Sequence, residues 1–120
     1  MIGGKFMIRE IEEKDFEQKV LKNPKVVLVD FFATWCMPCQ MLRPELEALD
    51  EMRDDIEIVS IDVDKTRDLA MKYDIEFVPT VLTFKNGEYL QRFGGFHKKE
   101  EMSEMISNVL YKKKDRPKFE

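Results

Sequence analysis

Between Val26 and Met52 the chain reads as a buried strand running directly into a helix, with two cysteines at the junction. Val26 to Ala33 is a nearly continuous apolar run rich in Val and Phe, as expected of a central strand covered on both faces. One carboxylate, Asp30, interrupts it. Past Trp35-Cys36-Met37-Pro38-Cys39, apolar residues return at Met41, Leu42, Leu46, Leu49 and Met52, which is helical spacing. Few folds can accept this stretch, because the strand must lie inside a sheet and the helix must cover it.

The junction also constrains the chemistry. The first turn of a helix presents backbone N–H groups without partners and the positive end of the helix dipole. A thiolate there is stabilised, so Cys36 is expected to ionise below the ordinary thiol range. Cys39 lies one helical turn away, and Pro38 is tolerated so early because its missing N–H would have had no partner. A Cys-x-x-Cys pair in this setting can attack a disulfide and close into one. A metal site is the other use of such a pair, but it needs two further ligands. His97 is the one other good donor, so a site shared between two chains stays as the alternative.

At 120 residues the chain has the length of one domain with a real core. A net charge of -4 argues against a nucleic-acid module, which would be basic. No apolar run reaches the length of a membrane span. The first ten residues lack the pattern of a secretory leader, so the expected location is the cytoplasm.

In order, Lys5 to Ile8 reads as a short strand after a loose Gly3-Gly4 end. Glu12 to Leu21 reads as a helix, stopped by Asn23-Pro24. After the central strand and helix comes a strand over Ile56 to Val63. A helix over Thr66 to Tyr73 follows, with Asp64 as its expected cap. Then comes Val81 to Phe84, and Asn86-Gly87 predicts a type I′ hairpin back through Tyr89 to Phe93. Met102, Met105, Ile106, Val109 and Leu110 mark an amphipathic final helix without a good capping residue. The tail from Lys112 to Glu120 is charged and is expected to be flexible. Strand and helix alternate and then give way to a hairpin. That order predicts an α/β fold, with a mixed central sheet and helices on both faces.

Several motifs now coincide in order. They are Val29-Asp30-Phe31-Phe32-Ala33-Thr34-Trp35-Cys36-Met37-Pro38-Cys39 with Pro44 after it, Val78-Pro79-Thr80, Phe84 to Glu88, and Gly95. Together they resemble the thioredoxin family, from about Lys5 to Tyr111. The resemblance implies a thioredoxin fold of about five strands and four helices. It implies a protein disulfide reductase that needs no bound cofactor beyond its own redox-active Cys36–Cys39 disulfide. Cys36 would be the exposed nucleophile, and Cys39, deeper in the helix, would resolve the mixed disulfide.

The family's Asp at the position of Asp30 helps move the proton of the second cysteine. Burial in an apolar strand should raise the pKa of Asp30, which suits that role. The plain alternative is a strand-end carboxylate reaching water. Ser60 departs from the family pattern, since many members carry a Lys there beside the Asp. Without that cation Asp30 is expected to be still harder to ionise.

Pro79 corresponds to the family's cis-proline, which frees the backbone at Val78 to pair with a target peptide. Trp35, Met37, Val78, Pro79 and Gly95 (with Gly94 as a second candidate) would form a shallow apolar docking groove. Pro38 and Pro44 are structural, Pro44 kinking the helix. Met37 replaces the commonest Gly and adds no imidazole, which leans toward a reductant. Phe32, where many members carry Trp, reads as a packing change, and His97 as a solvated residue.

The resemblance also implies partners. The electron donor would be a thioredoxin reductase, either flavin- and NADPH-dependent or ferredoxin-linked, and the targets would be proteins carrying disulfides. A monomer is expected, with no nucleic acid and no membrane. The alternatives are a disulfide oxidase or isomerase on the same fold, a docking module without turnover, or the two-chain metal site.

Overall fold

The residues of β2 (Val26–Phe32) are buried on alternating faces, and this sets the layers. The computed structural model describes residues 8–111. β2 lies at the centre of a five-stranded sheet. One neighbour is β3 (Ile56–Asp62), parallel to it, and the other is β4 (Thr80–Lys85), antiparallel. β1 (Arg9–Glu10) closes one edge beside β3, and β5 (Glu88–Gly94) closes the other beside β4. The order is therefore β1-β3-β2-β4-β5.

Val26 and Leu28 face the side covered by α1 (Met37–Met52) and α3 (Lys99–Leu110), where Leu42, Leu46, Leu49, Met102 and Ile106 complete one core. Val27, Val29 and Phe31 face the opposite side, packing with Phe16, Val20 and Leu69. Leu69 belongs to α2 (Arg67–Lys72). By the same alternation Asp30 points to the α1 side.

Several expectations need correction. The strand expected over Lys5 to Ile8 falls mostly outside the described residues and is not tested; among the described residues the first strand is Arg9–Glu10. The expected loose end at Gly3-Gly4 and the tail from Lys112 also lie outside them. The helix expected over Glu12 to Leu21 is not α-helical. Asp15 and Glu12 close a capping box, and the Asp15 N–H bonds the Glu12 carbonyl at 2.9 Å, giving a 3-10 turn over Glu13–Asp15. A π-helical stretch, Glu17–Leu21, follows, closed by the Lys22 N–H on the Glu17 carbonyl at 2.9 Å. Asp64 does not cap α2, because its carboxylate is held by Trp35. Thr66 takes the cap position, and its hydroxyl donates backwards to the Asp62 carbonyl instead.

The hairpin is as expected, with Asn86 and Gly87 both at positive φ (52° and 80°) and Lys85 paired with Glu88. The last helix indeed lacks a capping residue of its own. The Glu45 carboxylate of α1 accepts the Lys99 N–H at 2.8 Å, so the start of α3 is satisfied by a neighbouring helix. Pro44 sits inside α1, as expected, and removes the bond its N–H would have made to the Gln40 carbonyl.

Candidate functional site

The two cysteines sit where β2 delivers the chain to α1. Cys36 is extended (φ -97°, ψ 112°) and occupies the N-cap of α1, with Pro38 in the first turn. Cys36 and Cys39 are joined as a disulfide, with their Cα atoms 5.3 Å apart. The Cys39 N–H points at the Cys36 sulfur at 3.1 Å. A donor so placed stabilises charge on that sulfur once the pair is reduced. The expectation that Cys36 is the exposed partner does not hold in this state, since it is 4% exposed against 6% for Cys39. In the closed disulfide, exposure does not distinguish the two.

Their surroundings do. The Cys36 sulfur lies 3.7 Å from the Val78 carbonyl oxygen. Val78 joins Pro79 through a cis peptide bond, and the Pro79 carbonyl accepts the Gly95 N–H at 2.9 Å. Gly95 has φ +82°, and the space above its Cα is open. Val78 also lines a cleft with Trp35, Val63, Ile75 and Phe77. Trp35 is 70% exposed and is anchored by its indole N–H, which donates to the Asp64 carboxylate at 3.0 Å. Met37, the first residue of α1, is 62% exposed. Thus Cys36, Val78, Pro79 and Gly95 come together, with Trp35 as a wall and Met37 on the same helix turn as the cysteines.

Cys39 looks the other way. It lines a separate cleft with Asp30, Phe32, Ala33, Thr34, Gln40 and Arg43. Asp30 is 3% exposed, and its Oδ1 is buried without a hydrogen-bond partner among the described residues. Loss of hydration disfavours its charged form and raises its pKa from 3.8 to about 7, while the positive charge of Arg43 pulls it partly back. Ser60 of β3 pairs with Asp30 of β2, as the resemblance to the family pattern implied, and supplies no charge.

Three residues near the site escaped the sequence reading as site residues. Phe77 is 61% exposed, lines the Trp35 cleft, and lays its ring where a Cβ on Gly94 would stand. Its only signal was adjacency to Val78-Pro79. Arg43 follows Cys39 at i+4, which places both on one helix face, and that signal was available. Asp64 gave no signal, since its bond to Trp35 spans 29 residues. His97 is also less solvated than expected. Its Nε2 meets the Gly94 carbonyl at 3.0 Å and its Nδ1 the Glu101 carboxylate at 3.1 Å. Among the described residues no group of three or more His, Cys, Asp and Glu is placed to hold a metal ion. No helix among them is long and apolar enough to cross a membrane.

A family model for thioredoxin matches residues 7–108. The chain belongs to the thioredoxin family. A thioredoxin from Bacillus subtilis is 46% identical over 86 residues, covering 71% of this chain and 83% of that one. One from Rickettsia bellii is 38% identical, covering 87% of this chain and all of its own length. Among solved structures, a single-substitution mutant of a thioredoxin from Halobacterium salinarum superposes with a TM-score of 0.79 at 32% identity, covering 88% of this chain and 92% of that one. Thioredoxin family membership, together with the closed Cys36–Cys39 pair, makes this chain a thiol–disulfide oxidoreductase that reduces protein disulfides.

Proposed function

We propose that the chain, acting as a single domain, reduces target disulfides through Cys36 as nucleophile, Cys39 as resolving thiol and Asp30 as proton acceptor. The observation that carries this is the division of the site. The Cys36 sulfur lies against the Val78 carbonyl beside the Pro79–Gly95 turn, and Cys39 shares a cleft with the buried carboxyl of Asp30. The Cys36 thiolate attacks one sulfur of the target, forming a mixed disulfide and releasing the first target thiolate, which takes a proton. Cys39 gives its proton to the Asp30 carboxylate, and its thiolate attacks the Cys36 sulfur. The mixed disulfide breaks, and the second target thiolate leaves and is protonated. Two electrons have passed to the target, and the Cys36–Cys39 disulfide remains.

A carboxyl group with a pKa of about 7 is matched to this task, because it is available as base at neutral pH and still holds a proton well. The target lies as an extended segment across Val78, Pro79 and Gly95, pairing with backbone groups and leaning on Trp35, Met37 and Phe77. Pro38 shapes the helix start and Pro44 its bend. No resident cofactor takes part. A thioredoxin reductase, flavin- and NADPH-dependent or ferredoxin-linked, restores the dithiol. The protein works as a monomer in the cytoplasm, carrying electrons for cell redox homeostasis.

A redox titration in dithiothreitol or glutathione buffers tests the direction of electron flow, with Trp35 fluorescence and thiol alkylation as readouts. A potential near or below roughly −250 mV is expected for a reductant. A value above about −180 mV would make the protein an oxidant or isomerase. Zinc or iron in the purified protein, with no two-electron transition, would instead point to the two-chain metal site.

The groove is tested through Gly94. In Gly94→Ala the new Cβ displaces the Phe77 ring, which is the outer end of an exposed side chain and can swing away. The expected loss of target binding is about 1 kcal/mol, a KM raised roughly fivefold for a protein disulfide. The kcat, and turnover of a small disulfide, should hold. An unchanged KM would remove Phe77 from the docking surface.

A further inference from the structure

The cation missing from β3 is supplied from the other side of the site. Asp30 lies between Ser60 of β3 and Val81 of β4, neither of which is charged. Beyond Ser60, Glu10 of β1 is paired with Lys65, and farther along β3 the Asp62 carboxylate accepts the Asp64 N–H. Both acids border a different cleft from the one that holds Asp30. The cleft of Asp30 is bordered by three ionisable groups among the described residues: Asp30 itself, Cys39 and Arg43.

Arg43 is not a loose surface side chain. Its guanidinium carbon lies 5.9 Å from the centre of the Phe32 ring, and Nη1 donates to the Ile8 carbonyl at 3.5 Å. Phe32 therefore does more than fill space, since its ring seats the cation. Among the described residues Arg43 forms no ion pair, so its charge is not neutralised at close range. It stands one turn past Cys39 on α1, at the wall of the cleft through which a proton would pass.

We propose that Arg43 is a positioning residue of the resolving step, its guanidinium steadied over Phe32 at the wall of the Asp30–Cys39 cleft so that its charge favours the carboxylate form of Asp30 that accepts the Cys39 proton. It rests on the Asp30 role given above. The S–H bond of Cys39 breaks, the proton goes to Asp30, and the Cys39 thiolate displaces the target sulfur from Cys36. Arg43 donates nothing in that sequence. It biases the acceptor before the proton moves. The carboxyl of Asp30 is raised by burial and drawn down by Arg43, which agrees with this arrangement.

The test follows Asp30 directly by carboxyl-carbon NMR titration of the oxidised protein, and separately follows the pH profile of target disulfide reduction. In Arg43→Gln the Asp30 midpoint should rise by about 0.5–1 pH unit, and Arg43→Lys should return most of it. At pH 7 the resolving rate should fall about two- to fivefold, and it should meet the wild-type rate at high pH, where Asp30 is ionised in both. In an Asp30→Asn background Arg43→Gln should have no further effect. Should Arg43→Gln fold poorly, Arg43→Met keeps the aliphatic stem on Phe32 without the charge. An Asp30 midpoint unmoved in the neutral variants overturns the proposal, as does equal slowing at every pH and in the Asp30→Asn background. If Asp30→Asn itself leaves the pH profile unchanged, the Asp30 role fails, and this proposal with it. The NMR titration then still reports whether the two charges are coupled.

Discussion

Cys36→Ser is expected to lower turnover of a protein disulfide by about three orders of magnitude or more, while Cys39→Ser abolishes turnover yet leaves a covalent adduct with the target. The two variants differ because the two sulfurs have different neighbours, the Val78 carbonyl for Cys36 and the Asp30 cleft for Cys39. Cys36 meets the Val78 carbonyl and receives the Cys39 N–H, so target approach and thiolate stabilisation converge on one atom. Without that sulfur there is no mixed disulfide. Cys39 borders the Asp30 cleft and lies on the inner face of α1 with Leu42 and Leu46. Its loss removes only the second attack, so the chain stalls at the intermediate. Steady-state reduction kinetics together with intact mass spectrometry separate these outcomes. Turnover by Cys36→Ser through Cys39, or a Cys39→Ser protein that never accumulates adduct, would reverse the assigned roles.

The chemistry of the site was more legible in the sequence than its electrostatics. A continuous apolar run ended by Cys-x-x-Cys specified β2 and α1 through local pattern, whereas the burial of Asp30 was favoured over a strand-end carboxylate reaching water only through the family resemblance. Asn86-Gly87 likewise specified the hairpin, since both residues tolerate positive φ. What failed to show were interactions between residues distant in the chain. Asp64 reads locally as a helix cap, yet its carboxylate is taken by Trp35. The start of α3 is capped by Glu45, 54 residues earlier. The helix before β2 has an ordinary amphipathic pattern, and only the capping box of Glu12 and Asp15 tightens its first turn. Ser60 led to the expectation of an Asp30 with no cation nearby, because the family pattern places that cation on β3. The positive charge that bears on Asp30 is that of Arg43 on α1, which draws its pKa partly back from the rise caused by burial.

Asp30→Asn is expected to stabilise the oxidised protein at alkaline pH by up to about 4 kcal/mol relative to its effect in acid. The folded state raises the Asp30 pKa to about 7, whereas the unfolded chain returns it to an ordinary carboxylate value. The folded state therefore binds the proton more tightly. Below about pH 4 both states hold the proton and the group contributes nothing to the pH dependence. From about pH 4 to 7 the unfolded state releases its proton first, so stability falls as pH rises. Above about pH 7 both states are ionised, and the loss is complete and constant. A shift of roughly three pH units, at about 1.4 kcal/mol each, gives the stated size.

Asparagine cannot titrate, so its stability curve lacks this fall. Its amide brings an extra N–H pair into a site where Oδ1 of the wild type already has no hydrogen-bond partner among the described residues. That penalty shifts the variant by the same amount at every pH and drops out of the difference curve. Urea unfolding of both proteins between about pH 4 and 8.5 gives that difference directly, with other titrating groups cancelling. A flat difference curve would mean that Asp30 is not desolvated in the folded state and could not serve as a poised base. A rising curve would show that the fold bears a stability cost at neutral pH in the group proposed to take the Cys39 proton, a cost that a purely structural role for Asp30 would not account for.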